Sequence, residues 1–217
     1  MASSQLVEGT SPGERGACSS ANRLFRDFDH NMMKRDNMDN PVLVEGSASV
    51  RVDAIQENGN IKVNVRVMNT GAGHKLPTDS PLRHLILVVE AMDENERVLT
   101  QVNGPIIPAW GGSGSQPDED YAGRPGEIYA NILKDRDTNE VPAVAYWNPT
   151  VPAWNGSDTR LVPHQEVLST YLFVAPSHGD VTINARLYYR YAFIDLLRQK
   201  GLPLKDILVN WAQIQIP

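Results

Sequence analysis

The stretch IKVNVRVMN, residues 61–69, alternates apolar and polar side chains from Ile61 to Val67. Successive side chains of a β-strand point to opposite sides, so this period of two predicts a strand with one buried face. The apolar positions are Ile61, Val63, Val65 and Val67, and the polar positions are Lys62, Asn64 and Arg66. The segment ASVRVDAI precedes this strand, and the turn signal ENGN at 57–60 lies between the two. Together they predict a β-hairpin.

Later segments of the sequence also have patterns that predict β-strands. LRHLILVVEAM, residues 82–92, is apolar on both faces, which is typical of a central strand in a packed sheet. A polar turn and RVLTQV, residues 97–102, come next and predict a second hairpin. EIYANILKD at 127–135 resembles a short strand, while STYLFVAP at 169–176 and the segment after the SHGD turn predict one more hairpin.

The chain ends with a change of period. Helical spacing is carried by Ala192, Phe193, Leu196 and Leu197, with Gly201 as the stop signal and Pro203 beyond it. We therefore predict a mainly β protein: an antiparallel, immunoglobulin-like β-sandwich over 41–217 with a short C-terminal helix. Residues 1–40 are predicted to be a flexible N-terminal arm, in which 23–40 fit a short helix or a segment laid against the domain.

Composition excludes several classes of function. The 20 Lys and Arg residues are outnumbered by 26 Asp and Glu residues, and no basic stripe is present, so we expect no nucleic-acid partner. No segment approaches the ~18 to 20 continuous apolar residues of a membrane span, so we expect no membrane insertion. Cys18 is the single cysteine, which excludes an internal disulfide, a CxxC pair and a CxxCH haem attachment within these 217 residues.

His74 is the most interesting histidine because it lies in GAGHKLP, a Gly- and Pro-rich loop directly after a strand. Such a loop suits a ligand, but it also suits a corner in which the imidazole bonds to the backbone. His84 lies within a predicted central strand and fits a sheet histidine. A metal site made of His74, Asp79 and His84, serving a metal-dependent enzyme, is one hypothesis, although no HExxH spacing supports it.

Three tryptophans lie in the irregular connections, where their rings could stack on a sugar or a partner surface or could cover the open end of the sandwich. They are Trp110, Trp147 and Trp154. Arg160, in SDTR at 157–160, could bind a carboxylate or pair with Asp158 in a turn. These residues form the basis of an alternative function, a carbohydrate- or peptide-binding module. No nucleophile elbow, phosphate loop or dinucleotide fingerprint is present, and we name no catalytic residue.

Four ordered stretches together resemble the C-terminal β-domain of bacterial multihaem c-type cytochromes. The first, residues 65–99, contains GHKLPTD, which is similar to the GHxxPTG motif of that family. GEIYANILKD, SDTRLVPHQ and INARLYYRYAFIDLLRQKGLP follow in the family's order. Asp79 stands where the family usually has Gly, and the CxxCH motif that normally precedes the domain is missing.

The resemblance implies a non-enzymatic β-sandwich module that packs against a multihaem cytochrome in extracytoplasmic electron transfer, hence a periplasmic or extracellular location. It also implies that His74 and His30 are axial ligands of haem iron, a role for which imidazole is suited. Since this chain carries no CxxCH, the haem would belong to a partner or a parent protein.

Overall fold

The structure is a computed structural model that describes residues 46–78, 80–112, 121–143, 148–202 and 206–217. The predicted arm at 1–40 lies outside the described residues. So do His30, Asp79 and Trp147.

The described residues form ten strands and two short helices. The strands are β1 (Ala48–Glu57), β2 (Asn60–Asn69), β3 (His84–Met92), β4 (Gln101–Asn103), β5 (Gly126–Ala130), β6 (Leu133–Asp135), β7 (Thr150–Pro152), β8 (Glu166–Val174), β9 (Val181–Arg190) and β10 (Ile207–Ile216). The helices are α1 (Ala109–Gly112) and α2 (Ile194–Gln199).

Two four-stranded antiparallel sheets face each other. The first has the order β1-β2-β8-β4 and the second has the order β10-β9-β3-β5, while β6 and β7 form a separate ribbon. This arrangement confirms the predicted mainly β, antiparallel sandwich. The first hairpin is also confirmed: β1 and β2 pair along their whole length, and Asn58 and Gly59 both have positive φ, as a two-residue hairpin turn requires.

The core lies between the two sheets. All four apolar side chains predicted to face inward from β2 are fully buried, and each contributes roughly 1.5–3 kcal/mol by its removal from water. From the opposite sheet, Leu85, Leu87 and Val89 of β3 enter the same core. The period of two in the sequence therefore gives the correct inward face.

The outer face of β3 is also buried, as its sequence predicts. Ile86 and Val88 belong to a second apolar cluster that Ile107 and Tyr121 complete. Both covering residues come from the Gly- and Pro-rich connection between β4 and β5. This long connection therefore has a structural task, because it shields the outside of the central strand from water.

The predicted hairpin of residues 82–92 and 97–102 forms only at its turn, where the N–H of Asp93 donates to the carbonyl of Arg97 and the N–H of Leu99 donates to the carbonyl of Ala91. After the turn the chain makes a single bridge, Met92 to Val98, and then β4 pairs with β8 in the opposite sheet. The predicted hairpin of 169–176 and 181–193 is wrong for a similar reason. There β8 pairs with β2 and β4, whereas β9 pairs with β3 and β10.

These two errors have one physical cause. A turn between two alternating strands can join neighbours in one sheet or carry the chain across the core to the other sheet. In β8 and β9 the inward side chains, among them Phe173 and Ile183, share the same core cluster instead of lying side by side in one sheet. Local alternation is identical in both arrangements, so the pattern alone cannot separate them.

The predicted late helix is confirmed as α2. Leu197 is buried on its inner face, and Gly201 has a φ of +63°, the left-handed geometry typical of a helix end. Within the described segments, no helix is long and apolar enough to cross a membrane.

Candidate functional site

Asn69 organises the GAGHKLP loop. It continues the inward series of β2 and is fully buried at the end of the strand. Its amide Nδ2 donates to the carbonyl oxygens of His74, at 2.7 Å, and Leu161, at 3.3 Å, while its Oδ1 accepts from the N–H of Ala72 at 3.0 Å. One buried side chain therefore ties the loop to β2 and to the segment that follows Asp158.

Leu76 adds a backbone anchor to the same loop. Its N–H donates to the carbonyl of Leu161 at 2.9 Å, and the N–H of Leu161 donates back at 2.7 Å. The loop is thus held on both sides of His74 by hydrogen bonds to structure distant in sequence. A histidine in such a loop has a defined position rather than a range of positions.

His74 is half-buried, and its two ring nitrogens differ. Nδ1 lies 3.0 Å from the carbonyl oxygen of Lys75, close enough to donate a hydrogen bond. Among the described residues, none forms a hydrogen bond with Nε2. A backbone acceptor at one nitrogen favours the tautomer that carries its proton there, and it leaves the lone pair of the other nitrogen available for a metal.

A charged cluster lies beside this loop. Asp158 accepts from the Nε of Arg160 at 2.7 Å and from its Nη2 at 2.8 Å, and Lys75 Nζ contacts the same carboxylate at 2.8 Å. The hydrogen bonds from Arg160 are the main reason that the pKa of Asp158 is held well below its usual range, and the bond from Lys75 lowers it further. Two cations share one carboxylate here, so the cluster carries a net positive charge.

An open groove of about 630 Å³ lies against this cluster. It is lined by Asn131, Pro152, Trp154, Asn155, Gly156, Ser157, Asp158 and Arg160. Two residues singled out from the sequence, Trp154 and Arg160, are therefore brought together at one groove. Trp154 remains 51% exposed.

His84 has very different surroundings. It is fully buried, its ring stacks on Phe193 at a centroid distance of 5.1 Å, and Trp110 meets it edge-on at 6.4 Å. Nδ1 lies 3.1 Å from the carbonyl of Leu82, and Nε2 lies 3.2 Å from the carbonyl of Gly111. Burial, and secondarily the charge of Arg190, outweigh the two carbonyl contacts and lower the pKa of His84 to about 3, so the ring is neutral at physiological pH. A neutral imidazole carries one N–H, so His84 donates to only one of these two carbonyls.

A buried ion pair lies next to His84. Arg190 is fully buried and forms a bidentate pair with Asp206, with Nε–Oδ1 at 2.7 Å and Nη2–Oδ2 at 2.6 Å. The guanidinium also lies 5.7 Å from the ring centre of Tyr121. We call these residues, together with His84 and its aromatic neighbours, the sealed cluster. It joins α1, and Phe193 directly before α2, to the end of the second sheet.

The predicted metal site stays a prediction. Asp79 lies outside the described residues, and within the described part of the chain no group of three His, Cys, Asp or Glu residues could hold an ion. Both ring nitrogens of His84 face carbonyl oxygens, which suits a packing role better than a ligand role. Trp110 likewise packs on His84 and Phe193.

Sequence reasoning did not name Asn69, Arg190 or Asp206. For Asn69 a signal was present, because it extends the inward series of β2 as a polar residue where an apolar one is expected. For Arg190 and Asp206 no local signal exists. Their pairing depends on how β9 and the start of β10 meet in three dimensions.

No protein-family model matches the chain, and no curated protein sequence matches it significantly. A solved structure of similar fold is a penta-haem cytochrome c552 from Thermochromatium tepidum, with a TM-score of 0.59 and 23% sequence identity. The match covers 82% of this chain but only 41% of the cytochrome. At this identity it shows a shared fold, and it links that fold to part of a multihaem cytochrome.

Proposed function

We propose that this β-sandwich is a non-enzymatic module of extracytoplasmic electron transfer, which packs against a haem-bearing protein and offers His74 as an axial ligand of the haem iron. The observation that carries the proposal is the geometry of His74. Its Nδ1 faces a backbone carbonyl, and its Nε2 has no hydrogen-bond partner among the described residues.

This geometry suits iron ligation for a chemical reason. An axial imidazole binds through a neutral nitrogen, and a hydrogen bond at the other nitrogen fixes both the tautomer and the ring orientation. The carbonyl of Lys75 supplies that second bond. Asn69 and Leu76 hold the backbone on either side, so little conformational freedom is lost when the ring binds a metal.

The fold supports the choice of partner. The solved structure of similar fold belongs to a penta-haem cytochrome, and this chain matches 41% of it. The remaining length of that cytochrome has no counterpart in this chain. In our proposal, a separate subunit or a neighbouring part of a longer protein carries the haem. His30 is the second proposed ligand, by its position in the sequence that resembles the family.

The experiment uses a ferric haem peptide that has one axial histidine and an open sixth position. Titration with the protein should convert the haem from high-spin to low-spin and shift its Soret band, because a second imidazole is a strong-field ligand. His74→Ala should weaken this binding at least tenfold. The matched control is His178→Ala, since the His178 side chain is 83% exposed and should account only for nonspecific ligation.

Two results would contradict the proposal. One is an unchanged spectrum with the intact protein, and the other is an equal loss of binding in the His74 and His178 variants. Thermal unfolding of each variant shows that the fold is retained. A His30→Ala variant, measured in the same way, tests the second ligand separately.

A further inference from the structure

Trp154 is not explained by the core. The residue is 51% exposed, and it lines the groove defined above. A large aromatic ring left in water loses much of the stabilisation that burial would provide. A ring that stays exposed beside a groove provides a flat apolar surface on which a ligand can stack.

The turn that carries Trp154 is well anchored. The N–H of Ser157 donates to the carbonyl of Trp154 at 3.2 Å and closes the turn. On its outer flanks, the N–H of Ala153 donates to the carbonyl of Ile132 at 3.1 Å, and the N–H of Ile132 donates to Ser157 at 3.0 Å. Gly156, with a φ of +85°, provides the left-handed position that the turn needs. The indole is therefore presented on a fixed backbone.

The groove also holds polar groups that are not used internally. Asn131 and Asn155 line it, and the side-chain amide of neither forms a hydrogen bond with any residue in the described part of the chain. Each amide offers both donors and an acceptor. An aromatic ring and such groups at one groove match the chemistry of a pyranose, which has an apolar C–H face and a rim of hydroxyl groups.

The charge of a residue that lines the groove indicates which class of saccharide it could bind. Arg160 engages Asp158 through Nε and Nη2, while its Nη1 donates to none of the described residues. Lys75 contributes a second positive charge to the same carboxylate. One positive charge thus remains uncompensated, and the guanidinium fork is suited to a carboxylate.

We infer that this groove binds an acidic saccharide, a pyranose that carries a carboxylate. The sugar ring stacks on Trp154, its hydroxyl groups bond to Asn131 and Asn155, and its carboxylate meets Arg160. This site does not depend on haem ligation by His74. It would also give an extracytoplasmic module a means to bind acidic surface polysaccharide.

Isothermal titration calorimetry with tetragalacturonate tests the inference. Its fully methyl-esterified form is the matched probe, because it keeps the sugar rings and removes the charge. We expect binding of the acid and at least tenfold weaker binding of the ester. Trp154→Ala should reduce binding of the acid at least tenfold, and Arg160→Gln should remove most of the preference for the acid.

Trp211→Ala is the control variant. Trp211 is 57% exposed, close to the exposure of Trp154, but it lies on β10 and does not line the groove. The Trp211→Ala variant should bind tetragalacturonate as tightly as the original protein does. The inference is overturned if neither saccharide binds, if acid and ester bind equally, or if both tryptophan variants bind like the original protein. His74→Ala should leave saccharide binding unchanged, so each of our two proposals can fail alone.

Discussion

His74 and His84 are ten residues apart in sequence, yet they occupy opposite environments. His84 is fully buried in the sealed cluster, with carbonyl oxygens at both ring nitrogens and an aromatic ring stacked on its face. His74 is half-buried, with a backbone partner at one nitrogen only. The first arrangement uses the histidine to hold structure together, and the second leaves it able to bind. The ion pairs near the two histidines differ in the same way: Arg190–Asp206 is buried, and Lys75–Asp158 is partly exposed.

The largest expected effect comes from Asp206→Asn in the sealed cluster. The free energy of unfolding should fall by about 3–5 kcal/mol, because Arg190 would stay buried without the Asp206 carboxylate. Urea unfolding followed by circular dichroism measures the loss. Asp53→Asn is the control, since its pair with Arg66 is solvent-exposed and contributes less than about 1 kcal/mol. An equal loss of unfolding free energy in Asp206→Asn and Asp53→Asn would show that burial does not make one ion pair more important for stability than the other.

Acid should destabilise the protein through His84. Its folded pKa, about 3, is lower than its ordinary value of 6.5, so the unfolded chain binds more protons between these values. Stability contributed by the neutral ring is therefore present above pH 6.5 and is lost as the pH falls toward 3. Between pH 7 and pH 4.5 the loss should be roughly 2–3 kcal/mol.

The comparison variant for this pH dependence is His84→Gln, which cannot gain a proton in that range. Its unfolding free energy should fall less steeply with decreasing pH than that of the original protein, whatever its absolute stability. Parallel curves of unfolding free energy against pH for the two proteins would show that groups other than His84 cause the loss of stability in acid. They would also show that the nearby Arg190 and Asp206 do not influence this loss by way of His84.

Asn69→Ala tests how the His74 loop is held. It removes three hydrogen bonds of a fully buried side chain and leaves the N–H of Ala72 and the carbonyl of His74 with one partner fewer. The expected loss is about 1–3 kcal/mol in unfolding free energy. Asn69→Asp keeps an acceptor for Ala72 but loses the donor to His74. If that bond orients His74, both variants should also weaken haem-peptide binding.

The smallest effect is expected for Lys75→Met in the charged cluster of Lys75, Asp158 and Arg160, which we call the open cluster. The side chains of Lys75 and Asp158 are 42% and 31% exposed, so water screens their attraction. Unfolding free energy should change by less than about 1 kcal/mol, and the difference should shrink further in 0.5 M salt. A loss as large as that of Asp206→Asn would mean that the open cluster is a structural element like the sealed one.

Prediction from the sequence succeeds where the signal is local. The alternation of β2 identifies its buried face, and the apolar run of β3 identifies a central strand covered on both sides. Arg160 is named from its position in a turn and Trp154 from its position in an irregular connection, and the structure brings them to one groove. Prediction fails for the two later hairpins, because a turn signal does not specify which sheet the next strand joins.

The sequence by itself determined the fold class, the inward face of the first hairpin and the late helix with its glycine stop, since these depend on periods of a few residues and on local backbone geometry. Only the tertiary structure decided the sheet order and the difference between His74 and His84. Burial and hydrogen-bond partners depend on segments far apart in the chain: Leu161 meets the His74 loop, and Gly111 meets His84. A residue type suggests a chemistry, but only its contacts in the fold determine whether that chemistry is free to act.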